Sequence, residues 1–152
     1  MIGLERILVP TDFSEQSDAA LKYARALAGA FGARLHLLHV VQDPYSQPWA
    51  AEAFATQLGV MVSDWESQAR KRMAASLPAE DADRATIATA IGSPFQEIIR
   101  YASEHDAALI VMGTHGRGAI GHALLGSVAE RVVRKAPCPV LTVRQPEREF
   151  VT

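Results

Sequence analysis

Hydrophobic residues along the chain fall into two alternating kinds of segment. The first kind is a short apolar run without helical spacing, which predicts a β-strand. The five runs are Leu4–Val9, Leu35–Val41, Arg84–Ala90, Ala107–Met112 and Cys138–Val143. The fourth run is apolar throughout, as expected of a central parallel strand covered on both faces. The β-branched third run favours a sheet edge, and Pro139 in the fifth run favours an edge or a strand start.

The second kind of segment carries apolar residues at helical spacing. The predicted helices run from Ser14 to Gly32, from about Ala50 to Leu77, from Ser93 to His105 and from Ser127 to about Lys135. Ser14 is a candidate N-cap, and Gly32 is the glycine that ends the first helix. Two capping boxes, Ser93 with Gln96 and Ser127 with Glu130, predict where the third and fourth helices begin.

Five strands alternating with four helices predict an α/β fold, a single open, doubly wound, Rossmann-like parallel sheet. Residues 1–145 form the expected domain, and residues 146–152 form a polar tail. Such sheets bind ligands beyond the carboxyl ends of their strands, where the strand order reverses. If the first and fourth strands are neighbours, Asp12 after the first strand and the glycines from Gly113 onward face one cleft.

Composition excludes several classes of function. The chain has 152 residues, 49% of them hydrophobic, with a net charge of −2. This charge gives no support for a nucleic-acid partner, which normally meets a basic face. No apolar run is long enough to span a membrane. One cysteine, Cys138, and the lack of a secretory signal lead us to expect a cytoplasmic protein.

The fourth strand leads into a loop that carries most of the candidate chemistry. After Gly113 come Gly116, Gly118, Gly121 and Gly126, and then Ser127 opens a helix. A strand, a glycine loop and a helix start form an arrangement that binds phosphate, because glycine lets the backbone approach an anion and the helix start offers unpaired N–H groups. The alternative is that the glycines only let a long surface loop turn.

Two familiar phosphate motifs do not fit this loop. A Walker A loop needs a lysine before the final Ser or Thr, and Gly126-Ser127 lacks it. The pattern Gly116-x-Gly118-x-x-Gly121 matches a dinucleotide fingerprint, but it follows the fourth strand and no helix follows it directly. The sequence therefore favours neither a P-loop NTPase nor an NAD enzyme.

A third pattern fits as it stands. Gly113-x-x-Gly116, nine further residues and Gly126-Ser127 resemble the mark of the ATP-binding branch of the universal stress protein family. The stretches VPTDFS, LHVV, GSP, DAALIVMG and GSVAERVVRKAPCPVLTV resemble that family too, so the likeness covers nearly the whole chain.

The resemblance implies the strand order 3-2-1-4-5 and a site for ATP, with Mg²⁺ held mainly by the phosphates. The adenine residues would be Pro10, Thr11, Asp12 and Val40, the ribose residues Met112 and Gly113, and the phosphate residues Gly116, Gly126, Ser127 and Val128. It also implies a homodimer formed through the last strand, Cys138–Val143. The family's role points to a regulatory stress-response protein with an unidentified protein partner.

Several residues keep two interpretations. Asp12 either contacts the ligand or caps the turn before Ser14. Arg117 either reaches a phosphate or is a solvated loop arginine. Ser127 can be an N-cap as well as a phosphate ligand. His36 and His39 are expected on opposite faces of their strand, which argues against a shared metal. Cys138 is expected to be a buried strand residue rather than a nucleophile.

Three functional hypotheses follow. The first is an ATP-binding regulatory protein with at most slow hydrolysis, because fast phosphoryl transfer needs a cationic stabiliser and a positioned nucleophile that the sequence does not display. The second is an ATP-dependent enzyme on an unidentified substrate, with Asp12 or His115 in the chemistry. The third is a dimeric scaffold that works without nucleotide.

Overall fold

Five parallel strands form one sheet. The computed structural model describes residues 1–47, 49, 55–115, 125–145 and 151. The strands are β1 (Arg6–Pro10), β2 (Arg34–Val41), β3 (Ala85–Ile91), β4 (Leu109–Gly113) and β5 (Val140–Val143). Their order is β3-β2-β1-β4-β5, and every neighbouring pair is parallel. The expected fold class and strand order are therefore confirmed.

Four α-helices connect the strands within the described residues. They are α1 (Glu15–Phe31), α2 (Ala55–Ala75), α3 (Pro94–Glu104) and α4 (Ser127–Lys135), with short 3-10 turns at Pro44–Ser46 and Ala79–Arg84. The start expected for the second helix, near Ala50, lies outside the described residues. None of the helices in the described part of the chain is long and apolar enough to cross a membrane.

The last strand is shorter than its apolar run. It begins at Val140 rather than at Cys138, so the predicted start was wrong. Pro139 has no amide hydrogen to donate to a ladder, and only its carbonyl takes part, accepting from Ile110 N at 3.0 Å. This agrees with the expectation that Pro139 marks a strand start.

Side chains alternate between two apolar layers, one on each face of the sheet. Ile7 and Val9 pack with α1 and α2, whereas Leu8 packs with α3 and α4. The same alternation separates Val111 from its neighbours Ile110 and Met112. Both faces of the central strands are buried, which explains why their sequences are apolar without interruption.

Helix capping confirms the N-cap at Ser14 and corrects both predicted capping boxes. Ser14 Oγ accepts a hydrogen bond from Ser17 N at 3.2 Å, as an N-cap does. Ser93 is the N-cap of α3, but its side chain makes no cap hydrogen bond, so that capping box does not form. The second capping box was also wrong, because the N-cap of α4 is Gly126 and Ser127 is already helical. The carboxylate of Glu130 instead pairs with Arg134 at 2.8 Å on the helix surface.

The sheet opens where its strand order reverses. From β1 the chain moves stepwise through β2 to β3, and then crosses to β4 on the other side of β1. β1 and β4 pair only at Ile7–Leu109 and Leu8–Ile110, although both strands continue further. Their carboxyl ends therefore separate, and helices on opposite faces leave a crevice between them.

Candidate functional site

A cleft of about 1010 Å³ lies at the carboxyl ends of the strands. Its volume is at the upper end of what small-molecule sites usually have. All the expected site residues that the structure describes line it: Pro10, Thr11, Asp12, Val40, Met112, Gly113, Gly126, Ser127 and Val128. The other two, Gly116 and Arg117, lie outside the described residues. Residues far apart in the chain are thus brought to one cavity.

The turn after β1 is built from hydrogen bonds to the neighbouring strand. Thr11 N donates to the carbonyl of Leu38 at 2.8 Å, which extends the β1–β2 ladder by one residue. The Thr11 carbonyl in turn accepts from Nδ1 of His39 at 2.8 Å. These two bonds hold the first turn against the end of β2, so the wall of the cleft is formed by both strands.

Asp12 caps the turn that leads into α1. Its Oδ1 accepts from Ser14 N at 3.0 Å and from Ser17 Oγ at 2.7 Å. The turn-capping role is therefore present in the structure. Asp12 also lines the cleft, so the capping bonds fix the position of a carboxylate at this cavity.

Gly113 ends β4 directly against α1. A Cβ at Gly113 would lie 2.7 Å from Cβ of Gln16 and 3.0 Å from the Gln16 carbonyl carbon. Real Cβ atoms do not approach that closely, so only glycine fits without a shift of the helix. The glycine that the motif requires thus has a packing reason, which is the close approach of β4 to the first turn of α1.

The two ends of the glycine loop are held together. Thr114 N donates to the carbonyl of Val143 at 3.0 Å, and the Thr114 carbonyl accepts from Gly126 N at 2.6 Å. Gly126, the N-cap of α4, is therefore attached to the end of β4. This attachment aims the start of α4 at the cleft.

The start of α4 is suited to bind an anion. Ser127, Val128 and Ala129 line the cleft and occupy the first turn of the helix. Amides in a first turn have no partner within their own helix, and the N-cap residue Gly126 supplies no side-chain acceptor. Within the described residues, no group accepts a hydrogen bond from these three amides. The first turn therefore presents donors and the positive end of the helix dipole.

Three further residues of the cleft were not assigned a site role from the sequence. Phe13 adopts a left-handed backbone with φ of 64°, and its ring lies 4.6 Å from the ring of His39, centroid to centroid. The guanidinium of Arg72 lies 4.0 Å from the centroid of the same ring. Trp65 lies on the same face of α2 as Arg72. It also lines the cleft and is 38% exposed. The positive φ of Phe13 and its contact with Arg72 produce no recognisable sequence pattern, so these residues could not be assigned to the site from the sequence.

The remaining candidates are His36, His39 and Cys138. Cys138 precedes β5 and is only partly buried, so the expectation of a buried strand residue was wrong. His36 contacts Tyr101 of α3 through Nδ1 and the phenol oxygen at 2.9 Å, whereas His39 faces Phe13 and the cleft. The two histidines thus lie on opposite faces, as the strand alternation predicts. Burial raises the pKa of the Cys138 thiol, although a hydrogen bond from the Ile110 backbone offsets part of the effect. A thiol of this kind is not activated as a nucleophile.

The described residues hold no cluster of three or more histidines, cysteines or acids that is suited to a metal ion. The cleft has both a polar and an apolar lining. Its donors are backbone amides, and its opposite wall carries aromatic rings and aliphatic side chains. The amides and the side chains both lie where the strand order of the sheet reverses.

Sequence comparison agrees with this architecture. The model of the universal stress protein family matches residues 3–144. The chain belongs to the universal stress protein family. A relative from Thermus aquaticus, also a universal stress protein, is 37% identical over 141 residues, which is 91% of this chain and 97% of the relative.

Solved structures of the family have the same fold. A universal stress protein from Methanocaldococcus jannaschii superposes with a TM-score of 0.80 at 30% identity, covering 97% of this chain and 100% of its own. A universal stress protein solved in complex with cAMP gives a TM-score of 0.63 at 26% identity, covering 94% of this chain and 98% of its own.

Proposed function

We propose that this universal stress protein binds ATP in the cleft at the carboxyl ends of β1, β2 and β4. The observation that carries the proposal is the first turn of α4, whose amides at Ser127, Val128 and Ala129 face the cleft with no partner among the described residues. A phosphate chain supplies the acceptors that such amides need. The relative solved with cAMP supports a nucleotide as the ligand.

The base belongs at the other end of the cleft. Pro10, Thr11 and Val40 form an apolar and backbone-lined corner at the ends of β1 and β2. Asp12 beside them offers a carboxylate acceptor for an exocyclic amine or a ribose hydroxyl. Met112 and Gly113, at the end of β4, lie between this corner and the phosphate end, where the ribose would sit.

A triphosphate, rather than a monophosphate, is favoured by the sequence motif. Gly113, Gly116 and Gly126-Ser127 keep the spacing of the ATP-binding branch. The Mg²⁺ ion that accompanies ATP would be held mainly by the phosphates, which neutralises part of their charge.

The cleft is built for binding rather than for fast chemistry. Phosphoryl transfer requires a cation at the transferred group and a positioned nucleophile. Among the described residues of the cleft, the one lysine or arginine is Arg72, and its guanidinium lies against the ring of Phe13. We infer a nucleotide-dependent regulatory protein of the stress response, with at most slow hydrolysis, which reports nucleotide occupancy to a protein partner in the cytoplasm.

We also propose a homodimer formed by β5. Of the two edge strands, β3 is partly covered, because Arg70 donates to the outward carbonyl of Ile87 at 3.2 Å. Along β5, the carbonyls of Pro139 and Val143 bond to β4, so those of Val140 and Thr142 point outward. An open edge of this kind can pair with a second copy.

Ligand binding is tested on the purified protein and on one variant. Mass spectrometry of the denatured protein should detect ATP or ADP, and calorimetry of nucleotide-free protein should give saturable binding of MgATP. Gly126 has φ of −67° and ψ of 162°, which any residue adopts, so Gly126→Val should leave the fold in place and lose binding. If no nucleotide co-purified and calorimetry detected no binding, both ATP-dependent hypotheses would be excluded and the scaffold hypothesis would remain. A turnover above about 1 s⁻¹ would favour the enzyme.

A further inference from the structure

Arg72 stands out among the cleft residues because of its charge. It lies on the last turns of α2 and lines the cleft. Among the described lining residues it is the one lysine or arginine side chain. Arg72 is not part of the glycine motif. Its helix, α2, packs on one face of the sheet, whereas α4 packs on the other.

The guanidinium of Arg72 is held by the ring of Phe13, with 4.0 Å between Cζ and the ring centroid. Phe13 is itself fixed in an uncommon conformation, with φ of 64°. For a bulky residue this left-handed conformation is strained. It is maintained by a hydrogen bond from Phe13 N to Thr11 Oγ1 at 3.0 Å and by the Asp12 cap on Ser14. The turn that presents Asp12 therefore also builds the support for Arg72.

The polar side of Arg72 has no partner among the residues that the structure describes. Within the described residues its guanidinium has no hydrogen bond and no ion pair. Other arginines of the chain are paired, such as Arg25 with Asp81 and Arg134 with Glu130. A guanidinium carries five donors and two flat faces. The Phe13 ring lies against one of these faces, and Arg72 as a whole is exposed.

The position of Arg72 places it at the base end rather than the phosphate end. Phe13 contacts His39 of β2, and both lie on the side of β1 away from β4. α4 begins beyond the end of β4, on the other side of β1. A nucleotide whose phosphates reach the start of α4 therefore extends its base toward the ends of β1 and β2, where Arg72 and Phe13 lie.

We propose that Arg72 is a specificity-determining residue of the cleft, with its guanidinium stacked between the ring of Phe13 and the purine base of the ligand. This rests on the proposed nucleotide function. Planar guanidinium groups stack on aromatic faces, and a purine offers a larger face than a pyrimidine. Arg72 therefore favours purine over pyrimidine nucleotides.

The experiment compares calorimetric dissociation constants of adenosine, AMP, MgATP and MgCTP for the wild type, Arg72→Ala, Arg72→Lys and Lys71→Ala. Lys71 is exposed, adjacent on α2 and outside the cleft lining, so its variant is the matched control. We expect both Arg72 variants to weaken the three adenine ligands by a similar factor of about ten. The preference for MgATP over MgCTP should fall, and Lys71→Ala should match the wild type.

Other outcomes overturn the proposal. A loss that grows from adenosine to MgATP and that Arg72→Lys restores would mean that Arg72 contacts the phosphates. Unchanged constants in both variants would mean that Arg72 contacts no ligand, while the proposed function would stand. A wild type that binds none of the four ligands would refute the proposed function itself. Melting temperatures of all variants show whether a loss of binding reflects a loss of fold. The further variant Phe13→Leu removes the ring that supports Arg72, so a folded Phe13→Leu protein with weaker binding would report loss of stacking.

Discussion

Gly113 and Gln16 are in such close contact that glycine is the only residue that fits at the end of β4. A Cβ at Gly113 would meet the Gln16 Cβ at 2.7 Å and the Gln16 carbonyl oxygen at 3.1 Å. The first turn of α1 is fixed there by the Ser14 cap and the Asp12 hydrogen bonds. The helix start therefore cannot move away without breaking the turn that forms the cleft.

Gly113→Ala should destabilise the protein by about 1–3 kcal/mol, because overpacking forces the backbone of α1 to shift. Urea unfolding followed by circular dichroism measures this change. Gly59→Ala is the matched control, since Gly59 lies within α2 and a Cβ there meets nothing within 4 Å. That control should stabilise the protein by about 0.5–1 kcal/mol. Equal stability of Gly113→Ala and the wild type would contradict the close contact.

Asp81 is completely buried and should set the acid stability of the protein. Burial by itself raises the pKa of this carboxyl, but hydrogen bonds and charges from Arg25 and Arg84 lower the pKa below its ordinary value of 3.8. The folded state therefore binds the proton less readily than the unfolded state. The stabilisation is complete above about pH 4 and is lost as the pH falls through the folded pKa.

Asp81→Asn should cost about 3 kcal/mol near neutral pH, because it removes the charge that both arginines bind. It should also flatten the fall in unfolding free energy below pH 4. The control is Glu80→Gln, because the Glu80 side chain is 77% exposed and pairs with Arg25 only at the surface. Urea unfolding between pH 3 and pH 7 measures both variants. A Glu80→Gln effect as large as that of Asp81→Asn would refute the buried pair.

His36 should produce a second pH dependence at higher pH. Burial lowers the pKa of His36 below 6.5, and the nearby charges of His105, Arg34 and Arg6 lower it further. The unfolded state therefore binds the proton more readily, so stability is complete above pH 6.5 and falls as the pH drops toward the folded pKa. Tyr101, which shares a hydrogen bond with His36, stays protonated because burial raises its pKa.

His36→Gln should remove that fall between pH 6.5 and pH 5 while keeping a polar partner for Tyr101. Thermal unfolding at closely spaced pH values detects the difference, and NMR titration of the histidine side chains gives the pKa directly. An unchanged pH profile in the variant, or a His36 pKa at or above 6.5, would contradict the prediction.

Thr142→Pro should separate the proposed dimer into monomers. The carbonyls of Pro139 and Val143 bond to β4, so the amide of Thr142 points to the open edge of β5. Proline at this position removes an outward donor and leaves the bonds to β4 in place. Size-exclusion chromatography with light scattering measures the mass, with Thr142→Val as the control that keeps the amide. A dimer that survives Thr142→Pro would exclude pairing through β5.

The secondary-structure elements and the class of fold could be predicted from the amino-acid sequence alone. Apolar runs and helical spacing depend on local geometry and burial, so the strands and the helix limits at Ser14 and Gly32 were predictable. The glycine spacing from Gly113 to Ser127 identified the family. The exact start of the last strand was not predictable from apolarity, because it depended on which amides and carbonyls β4 could reach.

The assembly of the cleft depends on tertiary contacts that the sequence pattern does not contain. Gly126 rather than Ser127 caps α4, because Gly126 N is attached to the carbonyl of Thr114. Phe13 takes a positive φ within a hydrogen-bonded turn, and Arg72, 59 positions away by residue number, comes to rest on its ring. The physical reason is that residue patterns encode local conformation and burial, whereas contacts between distant residues depend on strand order and on how helices pack across the sheet.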